Sequence, residues 1–485
     1  MPDDLNLVSK LTEEERLLEE STLGNISPDD AKYRKKSKDL SQYLSAKAEW
    51  LACAKVQQVL LETRMEFGQA EQKHVDEVNN AMNKLSALNM SYIEDQITKH
   101  DQLAVIEEIG RHVSPETKAL LHPGTTSYDI LDTARSYLFK KAWKEVIRPT
   151  ISKTIEKFID LAERSHDVLQ TGRTHLKNTS PVPFGTTFAL YAARIAERVE
   201  QCDKYFDNLK GKISGIVGTG ASVEMVIGKG KSLEFEEKTL EKLGLEPDYT
   251  ATQVVQKERL VDVGNGITTL MWTLADFAND IRLLYSSAIA EVFSADNKER
   301  LGGSSADALK DNPINYENIA GKAVVVESGM RVLYEMINTD LQRDLRSSVM
   351  ARYQPQGMMT QTYESFSRTN KALGKLTLNL EKIEENLLSV RNNPSEAMVA
   401  ILRGEKWVHS KYGVGHNFVK EVGKKAIKKG AYLMEIAIED KEFRDLYDSL
   451  PREKQEILNG KLENYTGSAA LRARKNIEYA KSVIS

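Results

Sequence analysis

Between Gly302 and Asn318 the chain reads GGSSADALKDNPINYEN. Ser304 and Ser305 lie on an arm whose glycines can reach positive φ and move. Lys310 follows, and Asn312-Pro313 predicts a helix start with Asn312 at the N-cap and Pro313 at the first helical position. A helix N-terminus with a lysine just upstream suits an anion. A serine on the mobile arm can swing over whatever anion is held there, which describes a catalytic lid. Taken alone, Gly-Gly-Ser-Ser followed by polar residues is more often a solvated interhelical loop.

Two other stretches carry matching chemistry. His122-Pro123-Gly124-Thr125-Thr126-Ser127-Tyr128-Asp129 places three hydroxyls before a helical pattern through Ile130, Ala134, Leu138 and Trp143. Simple capping by Thr126 or Ser127 accounts for it; so does a cradle of N–H groups and hydroxyls for a carboxylate or phosphate. Thr171-Gly172-Arg173-Thr174-His175-Leu176-Lys177 is a polar break between helical stretches, with Pro181 and Pro183 beyond it. Arg, Thr, His and Lys packed so closely make an unusual inert loop, and His175 is a candidate proton carrier near pH 7. Thr98-Lys99-His100-Asp101 marks another helix start, where a lone histidine is more often structural.

The elements that position these groups are predicted to be long helices. Of twelve prolines in 485 residues, none falls between Pro28 and Pro115, Pro183 and Pro247, or Pro247 and Pro313, and an internal proline costs a helix about 3 kcal/mol. From Leu260 apolar residues recur at Val263, Ile267, Leu270, Leu274, Phe277, Ile281, Leu284 and Ala288, the three–four spacing of a bundle helix that should run on to the Gly302 loop. Gly264 and Gly266 should weaken its first turn by about 1 kcal/mol each. The segment before about Asn25 reads as a peripheral arm or short helix, and an amphipathic region follows from Leu40 to about Glu107. A formal charge of −4 supplies no basic field for nucleic acid. Cys53 and Cys202 make no ligand spacing and call for no oxidising compartment. No apolar run nears the roughly twenty residues a membrane span needs, so a cytoplasmic protein is expected. Gly228-Lys229-Gly230-Lys231-Ser232 ends like a phosphate-binding loop, but Met225 stands where the first glycine belongs. Gly215, Gly218 and Gly220 have the wrong order for a dinucleotide fingerprint. Neither nucleotide cofactor nor metal is predicted.

The loop GSSADALKDNP resembles the GSSxMPxKxNP loop of the fumarase/aspartase superfamily, and the other polar stretches resemble its remaining signature regions. Within it the resemblance extends to the adenylosuccinate lyase family. Ser27-Pro28 through Lys32-Tyr33 is similar to that family's N-terminal SP.DGRY element, Lys99-His100-Asp101 to its histidine-aspartate motif, and Thr126-Ser127 with Asp129 to its TS.D motif. Arg173-Thr174-His175 is similar to its RTH motif and Thr252-Gln253 to its TQ element. Gln342-Arg343-Asp344-Leu345 with Ser348 and Arg352 resembles its phosphate-binding run, and Tyr465-Thr466-Gly467 its C-terminal Y-x-G. These motifs fall in order over nearly the whole chain.

The resemblance implies an all-α fold of three mostly helical domains: 1–121, N-terminal with substrate-binding loops; 122–378, a central long-helix bundle carrying the signature loop; and 379–485, C-terminal. It further implies a homotetramer with a twenty-helix core and sites shared between subunits. The implied reaction is anti β-elimination of fumarate from succinyl-purine ribotides, with no cofactor. By correspondence Ser304, or else Ser305, is the base and His175 the acid. Lys310 and Asn312 stabilise the developing charge, and His100 assists. Thr126, Ser127 and Gln253 hold carboxylates, with Asp101, Lys177 and Ser305 also against substrate. Lys32, Tyr33, Arg343, Ser348 and Arg352 clamp the phosphate. Three positions depart from the pattern: Asp307-Ala308 stands for Met-Pro, Lys177 for Gln and Lys32 for Arg. A superfamily lyase or cycloisomerase for another aspartyl adduct, and a non-catalytic scaffold, are the competing expectations.

Overall fold

The computed structural model describes residues 12–33, 37–295 and 310–485. The helices that matter below are α1 (Glu13–Leu23), α2 (Ala46–Glu66), α3 (Asp101–Gly110), α4 (Ser127–Ala142), α5 (Arg148–Arg164), α6 (Phe184–Asp207), α7 (Ser232–Glu241), α8 (Glu258–Tyr285), α9 (Ile314–Glu335), α10 (Arg346–Tyr353), α11 (Gln356–Leu373) and α12 (Leu380–Arg391). The fold is all-α; among the described residues strands occur only as two-stranded ribbons. Two of these are β1 (Leu169–Thr174) with β2 (Lys177–Pro183), and β3 (Val292–Ser294) with β4 (Leu376–Leu378), both antiparallel. No described helix is long and apolar enough to cross a membrane.

The chain forms two compact units, Met1–Ile151 with Arg198–Trp272 and Gly321–Ser367, and Ser152–Glu197 with Thr273–Ala320 and Arg368–Ser485. Every boundary falls inside a long helix: α5, α6, α8, α9 or α11. In the first unit the apolar stripe of α2 (Val56, Val59, Leu60) is buried in one core with Ile130, Leu131, Ala134 and Leu138 of α4. In the second, Phe277 of α8 meets Phe158 of α5 edge-on at 4.7 Å and Tyr191 of α6 at 5.2 Å, with Tyr316 of α9 at 6.2 Å. Such edge-to-face pairs add to the burial of apolar area.

Gly264 and Gly266, which look like weak points in α8, are places of close approach. A Cβ on Gly264 would come within 2.3 Å of Leu333, and one on Gly266 within 2.8 Å of Tyr205. The cost in helix propensity is offset by packing against α9 and α6.

Three expectations are corrected. The helix α8 stops at Tyr285 instead of running to the Gly302 loop. Ala290 turns the chain through φ 56°, and Ala295 N–H then bonds to Lys375 O at 2.8 Å as β3 joins β4. The Thr171–Lys177 break lies in a hairpin, not between helices: β1 and β2 pair Thr174 with Lys177 across a two-residue loop. The start of α9 is shifted by one residue, since Pro313 O accepts the first helical bonds from Tyr316 and Glu317. Pro313 is therefore the N-cap, and Asn312 lies just outside.

Candidate active site

In the first unit the signature residues are set by the N-terminus of α4. Thr126 is its N-cap, and Thr126 N–H donates to Asp129 Oδ2 at 2.7 Å, so the capping account of this residue holds. Ser127 remains to face His100. Ser127 Oγ lies 3.2 Å from His100 Nε2, while His100 Nδ1 lies 3.3 Å from Asp101 Oδ1. A hydroxyl, an imidazole and a carboxylate in that order orient the ring through both nitrogens, as a positioned acid or base requires. His100 reaches this place because Lys99, at φ 53°, breaks the preceding helical turn and makes His100 the N-cap of α3.

Further charges along α4 anchor the loops around this centre. Asp129 and Lys212 form a fully buried ion pair, and Asp129 Oδ1 also accepts Ser214 N–H at 3.1 Å. Asp132 accepts Val255 N–H at 2.9 Å and Lys257 Nζ at 2.8 Å, fixing the strand of chain just after Gln253. Gly218, at φ 80°, lies so close to Ala251 O that a Cβ there would stand 2.4 Å away. Gly124, at φ 75°, would clash in the same way with Ser222 O at 2.9 Å. The glycines dismissed as a dinucleotide decoy thus wall the segment that carries Thr252 and Gln253.

Two elements ninety residues apart are stitched together at this point. Thr252 Oγ1 donates to Gln342 O at 2.8 Å, Gln253 N–H to the same carbonyl at 3.3 Å, and Arg343 Nη1 to Gln253 Oε1 at 2.9 Å. The guanidinium lies 3.9 Å over the ring of buried Tyr128, and Arg343 Nε is buried with no hydrogen-bond partner among the described residues. A stacked arginine with an unused donor fits an anionic oxygen. Half-buried Ser348 and exposed Arg352 follow on α10. Arg352 lines a cavity of about 280 Å³ together with Asp101, Glu94 and Trp50. Burial and Asp101 push the Glu94 carboxyl up, while Arg352 and His100 pull it down. Lys32 is exposed, and Tyr33 is half-buried beneath the ammonium of Lys322.

One group of this centre escaped the reading of single residues. His122 lies 2.9 Å from Gln57 and 3.1 Å from Thr125 Oγ1, and burial, Arg64 and His100 lower it to about 4, so it is a neutral imidazole. Its signal was its place in the hydroxyl-rich stretch.

In the second unit His175 and Leu176 form the hairpin tip at φ 53° and 57°. That is the mirror-image turn that normally takes Asn-Gly, and non-glycine residues held there store strain of a kind that clusters at functional sites. The hairpin is tied down at Arg173, whose Nη1 donates to buried Glu291 Oε2 at 3.1 Å, with Asn386 donating to Glu291 Oε1 at 2.8 Å. A groove of about 1210 Å³ opens beside it, lined by Thr174, Ser180, Glu396 and Lys420 among others. Lys177 and Lys310 are exposed, and Asn312 is half-buried ahead of α9. Ser304 and Ser305, with Asp307 and Ala308, lie outside the described residues.

Long helices carrying these polar segments define a lyase of the fumarase/aspartase superfamily: the family model described as Lyase matches residues 27–327, and the chain belongs to that family. Its relatives are adenylosuccinate lyases. The one from Methanocaldococcus jannaschii is 28% identical over 424 residues, covering 86% of this chain and 88% of the relative. The one from Pyrococcus horikoshii is 30% identical over 387 residues, covering 79% and 82%. Among solved structures, fumarate lyase from Mesorhizobium sp. BNC1 matches with a TM-score of 0.76 at 20% identity, covering 91% of this chain and 97% of that one. The 3-carboxy-cis,cis-muconate lactonizing enzyme from Pseudomonas putida matches with a TM-score of 0.77 at 17% identity, covering 92% and 98%.

Proposed function

We propose that this lyase eliminates fumarate from adenylosuccinate, giving AMP, and from succinyl-aminoimidazole carboxamide ribotide. The observation that carries the reading is the joined pair of Thr252-Gln253 and Gln342-Arg343, with the arginine stacked and its Nε unpartnered. A phosphate on the substrate supplies the acceptor that Nε lacks.

In this mechanism Ser304 takes the proton beside a succinyl carboxylate. The electron pair moves onto that carboxylate as an aci-carboxylate, then returns to form the fumarate double bond as the C–N bond breaks. The nitrogen receives that bond's pair and a proton from His175. A serine hydroxyl is too weak a base in water, so closure of its loop must desolvate it, with Lys310, Asn312 and the N-terminus of α9 supplying positive charge. The chain of Asp101, His100 and Ser127 orients the succinyl group, with Thr126 and Gln253 holding its carboxylates and Lys177 and Ser305 beside them. Arg343, Ser348, Arg352, Lys32 and Tyr33 clamp the phosphate.

The relatives' names support an elimination of this class, and the apolar residues that the long helices expose, Trp272, Val324 and Val325 among them, support a homotetramer with a shared bundle core. The division 1–121, 122–378 and 379–485 and a cytoplasmic location belong to the same reading. Pure protein mixed with adenylosuccinate tests it by the ultraviolet change and fumarate release, with a large rate loss in His175→Ala and Ser304→Ala. No fumarate from either ribotide refutes it. Lys177 and Asp307-Ala308 favour a second reading, a superfamily lyase for another aspartyl adduct, which a panel of such adducts would reveal.

A further inference from the structure

We propose that Lys322 positions the phosphate clamp by seating Tyr33, a role that rests on the lyase reading above. Lys322 projects from α9 and is only 6% exposed, and its Nζ is hydrogen-bonded to Glu364 of α11, itself 2% exposed. A buried ammonium is costly unless paired, and Glu364 offsets that cost. The pair alone would be an ordinary internal ion pair. What points it toward the site is its other face: Nζ stands 4.3 Å from the centroid of the Tyr33 ring. A desolvated cation over an aromatic face is among the stronger contacts of its kind.

The surrounding contacts fasten the same short segment. Gln361 donates to Asp29, whose carboxyl is raised by burial although Gln361 and Lys322 oppose the rise. Tyr363 OH donates to Asp39 Oδ2 at 3.0 Å. Lys32 and Tyr33 N–H groups both bond to Pro28 O, at 2.9 and 3.0 Å, so the turn that bears the two residues moves as one piece. Nothing else in these contacts grips the Tyr33 ring, so its orientation depends on the cation beneath it.

The test replaces the charges together, Lys322→Met with Glu364→Gln, so that neither is left buried alone. The expected result is a rise of about tenfold in KM for adenylosuccinate, the order expected for one desolvated cation–π contact, with kcat within about twofold. The KM for the dephosphorylated nucleoside should not move, and amide exchange at Lys32 and Tyr33 should speed up. An unmoved KM, or an equal loss with the dephosphorylated substrate, overturns the proposal. Glu364→Gln alone keeps the cation and should leave KM at its original value. If the double variant does not assemble, Lys322→Leu with Glu364→Met carries the same measurements, since an apolar pair often replaces a buried ion pair without loss. If the unaltered protein does not turn over adenylosuccinate, the lyase reading fails on its own. AMP binding and amide exchange then still decide the role of Lys322: a tenfold weaker Kd with faster exchange supports it, and no change in either refutes it.

Discussion

Glu236, on α7, is 6% exposed and accepts Ile213 N–H at 2.6 Å. Burial pushes its carboxyl from an ordinary 4.5 up to about 7; the Ile213 amide and Lys212 pull it down, and Asp129 and Asp248 push it further up. Between those two pH values the folded chain holds a proton that the unfolded chain has released. The stability that Glu236 contributes is therefore complete below about pH 4.5 and is lost as pH rises toward and through 7. Moving one carboxyl across that interval is worth about 3 kcal/mol. Glu236→Gln keeps an oxygen for the Ile213 N–H and cannot ionise. The variant should match the unaltered protein in urea unfolding at pH 4.5 and exceed it by about 3 kcal/mol at pH 8. Because the Lys212–Gly215 segment hangs from the same buried cluster, exchange of the Ser214 and Gly215 amides should slow in the variant at pH 8 and not at pH 5. Identical pH profiles for the two proteins, or a variant that is weaker at pH 8, would refute the reasoning.

Three further outcomes follow from the site. Arg343→Gln removes a charged donor worth about 1.5–3 kcal/mol and should raise KM for a phosphorylated substrate roughly 10- to 100-fold, with kcat less affected. Gly218→Ala must strain φ 80° and push on Ala251 O, so it should cost about 2 kcal/mol or more in thermal unfolding and raise KM by displacing Thr252 and Gln253. Arg173→Met leaves Glu291 buried without its partner and should destabilise by about 3–5 kcal/mol; Arg173→Met with Glu291→Gln should recover most of that in the same unfolding assay.

The long helices were legible because their apolar period is maintained over many turns with few prolines to interrupt it, and the residues from Val263 to Ile281 are buried as that period requires, Leu274 and Phe277 completely. The period says nothing about where a helix yields to a competing partner, which is why α8 ends at Tyr285 once the chain beyond it can pair with Leu376–Leu378. The hairpin at His175 was hidden for a related reason. Two-residue turns of this hand announce themselves through Asn or Gly, and a His-Leu pair carries no such mark; its conformation is imposed by the pairing of Gln170 with Val182 and the anchoring of Arg173 on Glu291.

The site divides along the same line. Each motif residue could be picked out singly, because polar groups before a helix are visible in one dimension. Their mutual arrangement could not, because it is carried by groups that read as ordinary surface charge: Lys212, Lys257, Lys322 and Glu364 look no different in sequence from the lysines and glutamates that face water. Each is buried, and each is paired with a carboxylate or ammonium 42 to 125 positions away. A buried charge is tolerated only where its partner is already in place, so such pairs record which loops the fold must hold still. In the first unit those loops are the ones bearing Ser127, Gln253 and Tyr33, and their rigidity against a base on a separate, glycine-rich arm is what an elimination needs: fixed carboxylates and phosphate, and a single group free to approach the proton.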